Sequence, residues 1–395
     1  MVTSTGPAWQ RLPFLLPGLL ALLSGVAAGL WRLGAWSTAT VPPVLAQAAA
    51  GHGALMVCGF FGVVISVERA VALGADGRPR RWAWAAPLAA GAGSLLVLAG
   101  APGLAGWAWL LASMVLLLTT VWVWQRQREP FVGVLALGAC AWTVGSAQWL
   151  SGAGVASAVP WWLAFLVYTI AGERLELSRL APRPRSAEIS FALLMVLLAA
   201  ALLAQLAGAP LRELAAPVFG AGLLALAAWL LRHDLARRTV RQQGLARYIA
   251  CSLLAGYGWL ALGGAVIMVT GLQPGTAGWD AALHAILLGF VFSMVYGHAP
   301  IILPAVLRVS LAYGPRFYAP LVLLHLAVAG RFGGSLLGLD DLRRASAWMS
   351  ALALLLFVAT LLWAARARRG AARSTRASGR ASSRARTSAA SAGSR

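Results

Sequence analysis

A chain of 395 residues that is 60% hydrophobic and 11% charged, with a mean hydropathy of +0.77, falls outside the soluble globular class, in which about a quarter of residues are charged. It reads as a polytopic membrane protein. The net charge of +21 comes from arginines in a terminal tail and in loops between apolar runs, which points to a membrane surface and not to nucleic acid.

Cutting the chain at charged, Gly/Pro-rich or Ser-rich breaks predicts an all-α fold of about twelve spans of roughly 20 residues each. They cover 13–34, 48–71, 82–101, 104–124, 131–151, 157–177, 189–208, 214–232, 247–271, 280–305, 317–338 and 345–365. The first run is long enough to span and lacks a small-residue cleavage site, so no cleaved leader is expected. The APGLAG stretch around 100–106 predicts a tight reversal between two spans. Residues 1–365 form the transmembrane domain on this reading. Residues 366–395 are Arg, Ser, Ala and Gly with two Thr and no apolar periodicity, a tail expected to be disordered with its arginines on anionic lipids.

Arginines fall in alternate loops: Arg69, Arg78, Arg80 and Arg81 after the second span, Arg126 and Arg128 after the fourth, and Arg174, Arg179, Arg183 and Arg185 after the sixth. Arg232, Arg237, Arg238 and Arg241 follow the eighth, and Arg308 and Arg316 the tenth. The positive-inside rule then puts both termini in the cytoplasm, in the inner membrane of a bacterium. Tryptophans near span ends, among them Trp82, Trp107, Trp124, Trp161, Trp162 and Trp279, read as an interfacial aromatic belt. Cys58, Cys140 and Cys251 sit in apolar runs and read as packing residues.

Histidines inside apolar spans are the candidates for function, because ionisable groups are costly there. His52 and His284 each lie about four residues into an even-numbered span, so the orientation rule gives them the same depth near the outer surface. His298 shares a helical face with His284 but lies on the order of 20 Å further along, which implies a second, separate site. Two neutral imidazoles at equal depth suit the axial positions of one haem iron held between two helices. Met56 and Gly59 lie on the His52 face, the glycine leaving room for a flat macrocycle. Two unrelated core histidines, or a proton or ion path, satisfy the same spacing. The second and sixth spans both close on Glu-Arg, as Glu68-Arg69 and Glu173-Arg174, and the tenth carries His298 at comparable depth. We read a weak threefold repeat of four-helix units, with a polar or proton-handling cluster, or interfacial anchors, at those ends. His325 is a lone intramembrane histidine, and His233 is flanked by charge in a loop. No catalytic signature of soluble enzymes is found, and copper would require His298 or His325 to join a site.

The run His52-Gly-Ala-Leu-Met56-Val-Cys-Gly59-Phe60 resembles the H-x-H-E-M-x-x-G-F signature of NnrS proteins, membrane proteins of the nitric-oxide response described as haem and copper binding. Leu283-His284-Ala285 through Gly289 is similar to their later H-A-x-x-x-G stretch. Histidines on the second and tenth of twelve spans also look like the large subunit of haem-copper oxidases, where those helices supply the axial pair of a low-spin haem. Ala54 and Leu55 stand where the NnrS signature has His and Glu, and Ala282 stands where the oxidase pattern has its first His. The resemblance therefore implies one b-type haem on His52 and His284, with an electron-transfer partner, and does not imply terminal oxidase chemistry. The rival expectation is a twelve-helix secondary transporter without haem.

Overall fold

The computed structural model describes residues 11–37, 40–74, 80–178 and 183–392. Arg78 and Arg179 of the loop pattern lie outside the described residues. Among the described residues there is no β-strand, and eleven helices are long and apolar enough to cross a membrane. In chain order the bundle begins with α1 (Leu12–Arg32), a short helix Pro43–Ala50, and α2 (His52–Leu73). Next come α3 (Ala85–Leu98), α4 (Pro102–Gln127), α5 (Pro130–Leu150) and α6 (Val155–Leu177). Then follow α7 (Arg185–Ala204), α8 (Ala209–His233), α9 (Gly244–Thr270) and α10 (Ala277–Leu307). α11 (Tyr318–Leu337) and α12 (Asp340–Ala392) complete it.

The expected count was twelve, and the difference lies in α3, which is a 14-residue helix behind a four-residue 3-10 turn. The reversal expected near 100–106 occurs at Ala99–Ala101. Gly100 takes φ +79°, open to glycine at no steric cost, and Pro102 begins the next helix, where a missing N–H loses nothing. The apolar span of α12 covers Asp340–Arg368. Its backbone continues as helix to Ala392, where composition led us to expect no regular structure; Ala and Arg are strong helix formers.

α6 is the axis of the bundle, with 83% of its apolar window buried, against 22% for α12 and 33% for α1. This corrects the reading of Trp161 and Trp162 as belt residues: they are 5% and 1% exposed, because protein encloses α6 on every side. Trp107, at 63% exposed, does face outward. Three spans four apart in sequence meet at the centre. α10 packs on α6. α2 meets α10 through Phe60, whose ring stacks on Phe292 at 5.8 Å, and meets α6 through an Arg69–Glu173 ion pair. α1 packs on α12, which closes the ring.

α2 and α10 share a local device absent from α6. Each begins as α-helix, widens into a π segment, Leu55–Phe61 and Ala285–Val291, and returns to α. Both segments are seven residues with a Gly-Phe pair in the same place, Gly59-Phe60 and Gly289-Phe290. π segments rotate everything after them relative to a straight helix and recur at functional sites.

Candidate functional site

The π segments begin one residue after His284 and three residues after His52, the two histidines singled out by sequence. In α10 the start is fixed by Thr276, whose Oγ1 accepts a hydrogen bond from the Trp279 N–H at 3.1 Å. One turn in, His284 Nδ1 donates to the Asp280 carbonyl at 2.8 Å and lies 3.4 Å from the Asp280 carboxylate. That carboxylate is held from α11: Arg331 donates to it from Nε at 2.8 Å and from Nη2 at 2.6 Å, and the Ser335 hydroxyl donates to it as well. In α2, His52 Nδ1 donates to the Gly25 carbonyl of α1 at 2.9 Å. A carbonyl can only accept, so each ring carries its proton on Nδ1 and keeps the Nε2 lone pair for something else.

His52 lies close enough to His284 to feel its charge, and both rings feel Arg331 and Arg32. Both sit deep among protein atoms, yet His284 keeps 25% of its side-chain surface accessible and His52 is also only partly covered. Small residues surround the His52 ring. Gly29 approaches the His52 ring so closely that a Cβ there would meet its Cε1 at 3.3 Å, a Cβ at Gly25 would meet the Met56 sulfur at 2.6 Å, and nothing approaches within 4 Å at Gly53. Met56 thus lies beside His52 against α1.

Gly59 needs correction. A Cβ there would meet Ser94 Oγ at 2.6 Å and Ala21 Cβ at 2.9 Å, so this glycine lets α3 and α1 approach α2 and does not open the slot beside His52. The π segment causes the change, because it turns Gly59 off the face that a uniform 100° step assigns to it.

At the other end of the same helices lies a second polar cluster. Arg174 Nε and Nη2 donate to Asp234 at 2.8 and 3.0 Å, and Arg174 Nη1 lies 3.4 Å from His298 Nε2. Asp234 also accepts from the Tyr257 hydroxyl at 3.0 Å and the Ala236 N–H at 2.7 Å. Arg69 bonds Glu173 at 2.9 Å, and Glu68 is near enough to both Glu173 and His298 to interact with their charges. The structure thus brings His298, Glu68, Arg69, Glu173 and Arg174 together, crosswise between α2, α6 and α10, and keeps His284 apart from them. His325 takes neither place: Trp259 Nε1 donates to its Nδ1 at 3.0 Å. The His233 ring lies beside Trp229, with centres 5.1 Å apart and planes tilted by 42°.

Sequence reading missed Asp280, Arg331, Asp234 and the α1 glycines. Asp280 stands four residues before His284 and Gly25/Gly29 form a GxxxG pair, both legible signals. Nothing local pairs Asp280 with a residue 51 positions away. Among the described residues, no group of three or more His, Cys, Asp or Glu is close enough to hold a bare metal ion.

The fold defines an all-helical, multi-pass membrane protein with paired imidazoles toward one end of the bundle and a buried ion-pair cluster toward the other. The profile of DUF8744, a domain of unknown function, matches residues 11–366, and the chain belongs to that family. No curated protein and no solved structure matches it.

Proposed function

We propose that this protein binds one b-type haem between α2 and α10, with His52 and His284 as axial ligands, and serves electron transfer or redox sensing in nitric-oxide-related biology. The observation that carries the reading is the matched state of the two rings: each Nδ1–H is tied to a backbone carbonyl, which leaves each Nε2 lone pair available as a ligand. Metal-ligating histidines are held in this way, because the second hydrogen bond fixes tautomer and ring orientation. Two imidazoles without a third protein ligand suit a porphyrin, whose four nitrogens complete the coordination. The NnrS-like runs at His52 and His284 support the same assignment. Copper has no ligand set among these residues, and we do not assign it.

The chain's own residues have separable tasks on this reading. Gly25 and Asp280 orient the rings. Arg331 and Arg32 supply positive potential beside a ligand whose propionates are negative. The Phe60–Phe292 stack holds α2 against α10. The haem, when bound, supplies one-electron redox chemistry. The arginine-rich loops support a bacterial inner-membrane location with both termini cytoplasmic and the haem toward the outer face.

An absorption spectrum of the purified protein tests the reading. The expected result is a six-coordinate low-spin haem spectrum, lost in His52→Gly and in His284→Gly and restored in each by free imidazole. Protein that folds and carries no haem under haem-replete expression overturns it and leaves a solute transporter as the competing class, to be tested by counterflow.

A further inference from the structure

Two cavities on the arginine-rich side of the bundle share a wall. The first, about 360 Å³, is lined by Arg183, Arg232, Arg237, Arg238 and Arg241 with His233 and Asp234. The second, about 590 Å³, is an open apolar furrow between the start of α7 and the end of α8, lined by Leu193, Leu197, Ala225, Ala228 and Trp229. Arg232 and His233 border both. Trp229 supports the junction: its Nε1 donates to the Ala187 carbonyl at 3.0 Å, and the Arg183 guanidinium lies 5.5 Å from its ring centre.

Charge in the first cavity is unbalanced. Asp234 is committed to Arg174, Tyr257 and Ala236, and the other carboxylate near Arg183 is Glu188, exposed on the first turn of α7. Arg183 Nε and Nη2 are shielded from solvent and have no hydrogen-bond partner. Burial is the largest influence on the Arg183 guanidinium and lowers its pKa from the usual value, against the attraction of Asp234 and Glu188. Guanidinium nitrogens shielded from water and without an acceptor mark a place built for an anion. The furrow beside it faces the hydrocarbon, with Leu193 64% exposed.

We infer that these joined cavities are a binding site for an anionic phospholipid of the inner leaflet, its phosphate among Arg183, Arg232 and Arg238 and one acyl chain along the α7–α8 furrow. Charge complementarity selects the headgroup, and the continuous apolar wall selects a lipid over a soluble phosphate. The site is independent of the haem assignment, since it uses no residue of α2 or α10.

The test is lipid binding to the full chain in non-ionic detergent, read by native mass spectrometry and by thermal shift, with phosphatidylglycerol, phosphatidylcholine and glycerol 3-phosphate as probes. Phosphatidylglycerol should be retained and raise Tm, and the other two should not. Neutralising Arg183 and Arg238 together (R183Q/R238Q) should weaken phosphatidylglycerol about 25-fold, about fivefold per arginine near an anionic headgroup. Ala228→Trp, filling the furrow from its exposed wall, should weaken it as well, with helical content checked by circular dichroism for each variant. Equal response to phosphatidylcholine, or wild-type binding by folded R183Q/R238Q, overturns the proposal. Glycerol 3-phosphate matching phosphatidylglycerol also overturns it, in favour of a soluble-anion site.

Discussion

Phe60 and Phe292 lie face to face, ring centres 5.8 Å apart and planes 6° from parallel, and each stands eight residues after a histidine. Phe60 lies inside the π segment of α2 and Phe292 is the first residue after that of α10, so both rings stand where their helices depart from α geometry. A purely α-helical α2 against a π-containing α10 would rotate one ring off the other by a large part of a turn. The stack therefore helps to fix how α2 and α10 are turned toward each other, eight residues beyond His52 and His284.

Loss of this stack should loosen the pair of helices without removing either histidine. Phe292→Ala should cost about 3–5 kcal/mol, the usual range for a buried phenylalanine. Phe60→Ala and Phe292→Ala together should fall short of additivity by about 0.5–1.5 kcal/mol, the coupling of an aromatic pair. Chemical denaturation in detergent measures both quantities. Full additivity would mean that the rings touch without mutual stabilisation and that other contacts hold the register.

Eleven of the twelve expected spans, their order and the two histidine-bearing positions were legible in sequence because apolar length and loop charge leave few alternatives in a bilayer. Four spans separate α2, α6 and α10, and that spacing anticipated which Glu-Arg ends would meet. The partners were less legible. Arg69 pairs with Glu173 and not with its neighbour Glu68, and Arg174 pairs with Asp234, 60 residues on, because ion pairing follows helix adjacency and not chain proximity. Gly59 was misplaced for a different reason. A π segment is a shift in the hydrogen-bond ladder, and periodic apolar residues carry no mark of it.

Asp280 divides into two functions that a single substitution separates. Asp280→Asn keeps the carbonyl that accepts from His284 and removes the charge facing Arg331, which is 8% exposed. Removing one member of a mostly buried ion pair typically costs about 3–5 kcal/mol. On the haem reading, the His284 ring also loses a nearby carboxylate that makes it a stronger electron donor, so the midpoint potential should rise while the low-spin spectrum persists. Redox titration of wild type and variant tests this. Loss of the low-spin bands in Asp280→Asn would place the control of His284 in the carboxylate and not in the backbone.

The Arg174–Asp234 pair makes a structural prediction free of any cofactor. Asp234 accepts four hydrogen bonds, from Arg174 Nε and Nη2, Tyr257 and Ala236, and its side chain is 1% exposed. In Asp234→Asn an N–H group must face one of those donors, and a buried guanidinium loses its counter-charge, so about 3–5 kcal/mol should be lost. Exchanging both partners for apolar residues (R174M/D234L) should recover much of that, since neither charge is then left buried alone. Equilibrium unfolding of the wild type and the two variants gives the comparison. Wild-type stability in Asp234→Asn would show that the pair is wet in the native protein and contributes little.

α8 and α9 cross where Gly220 and Gly264 face each other without side chains between. A Cβ on Gly220 would lie 2.6 Å from the Gly264 carbonyl oxygen, and a Cβ on Gly264 would lie 2.8 Å from the Gly220 carbonyl oxygen. The obstructing atoms are backbone, so no rotamer change can relieve the clash, and the helices themselves must separate. Close approach through small residues is the main source of packing between helices in lipid, where apolar surface gives no preference for protein over solvent. Gly220→Ala and Gly264→Ala should therefore each destabilise the protein by about 1–3 kcal/mol, against the usual stabilising effect of Gly→Ala in a helix interior. Gly258→Ala on the same helix α9 is the matched control, because nothing lies within 4 Å of its Cβ position. That control should be neutral or stabilising by up to about 1 kcal/mol. Thermal unfolding of the three variants under one detergent condition decides the matter. Equal behaviour of Gly264→Ala and Gly258→Ala would mean that α8 and α9 do not touch at this crossing, and the arrangement of the neighbouring Arg174–Asp234–Tyr257 cluster would have to be redrawn with it.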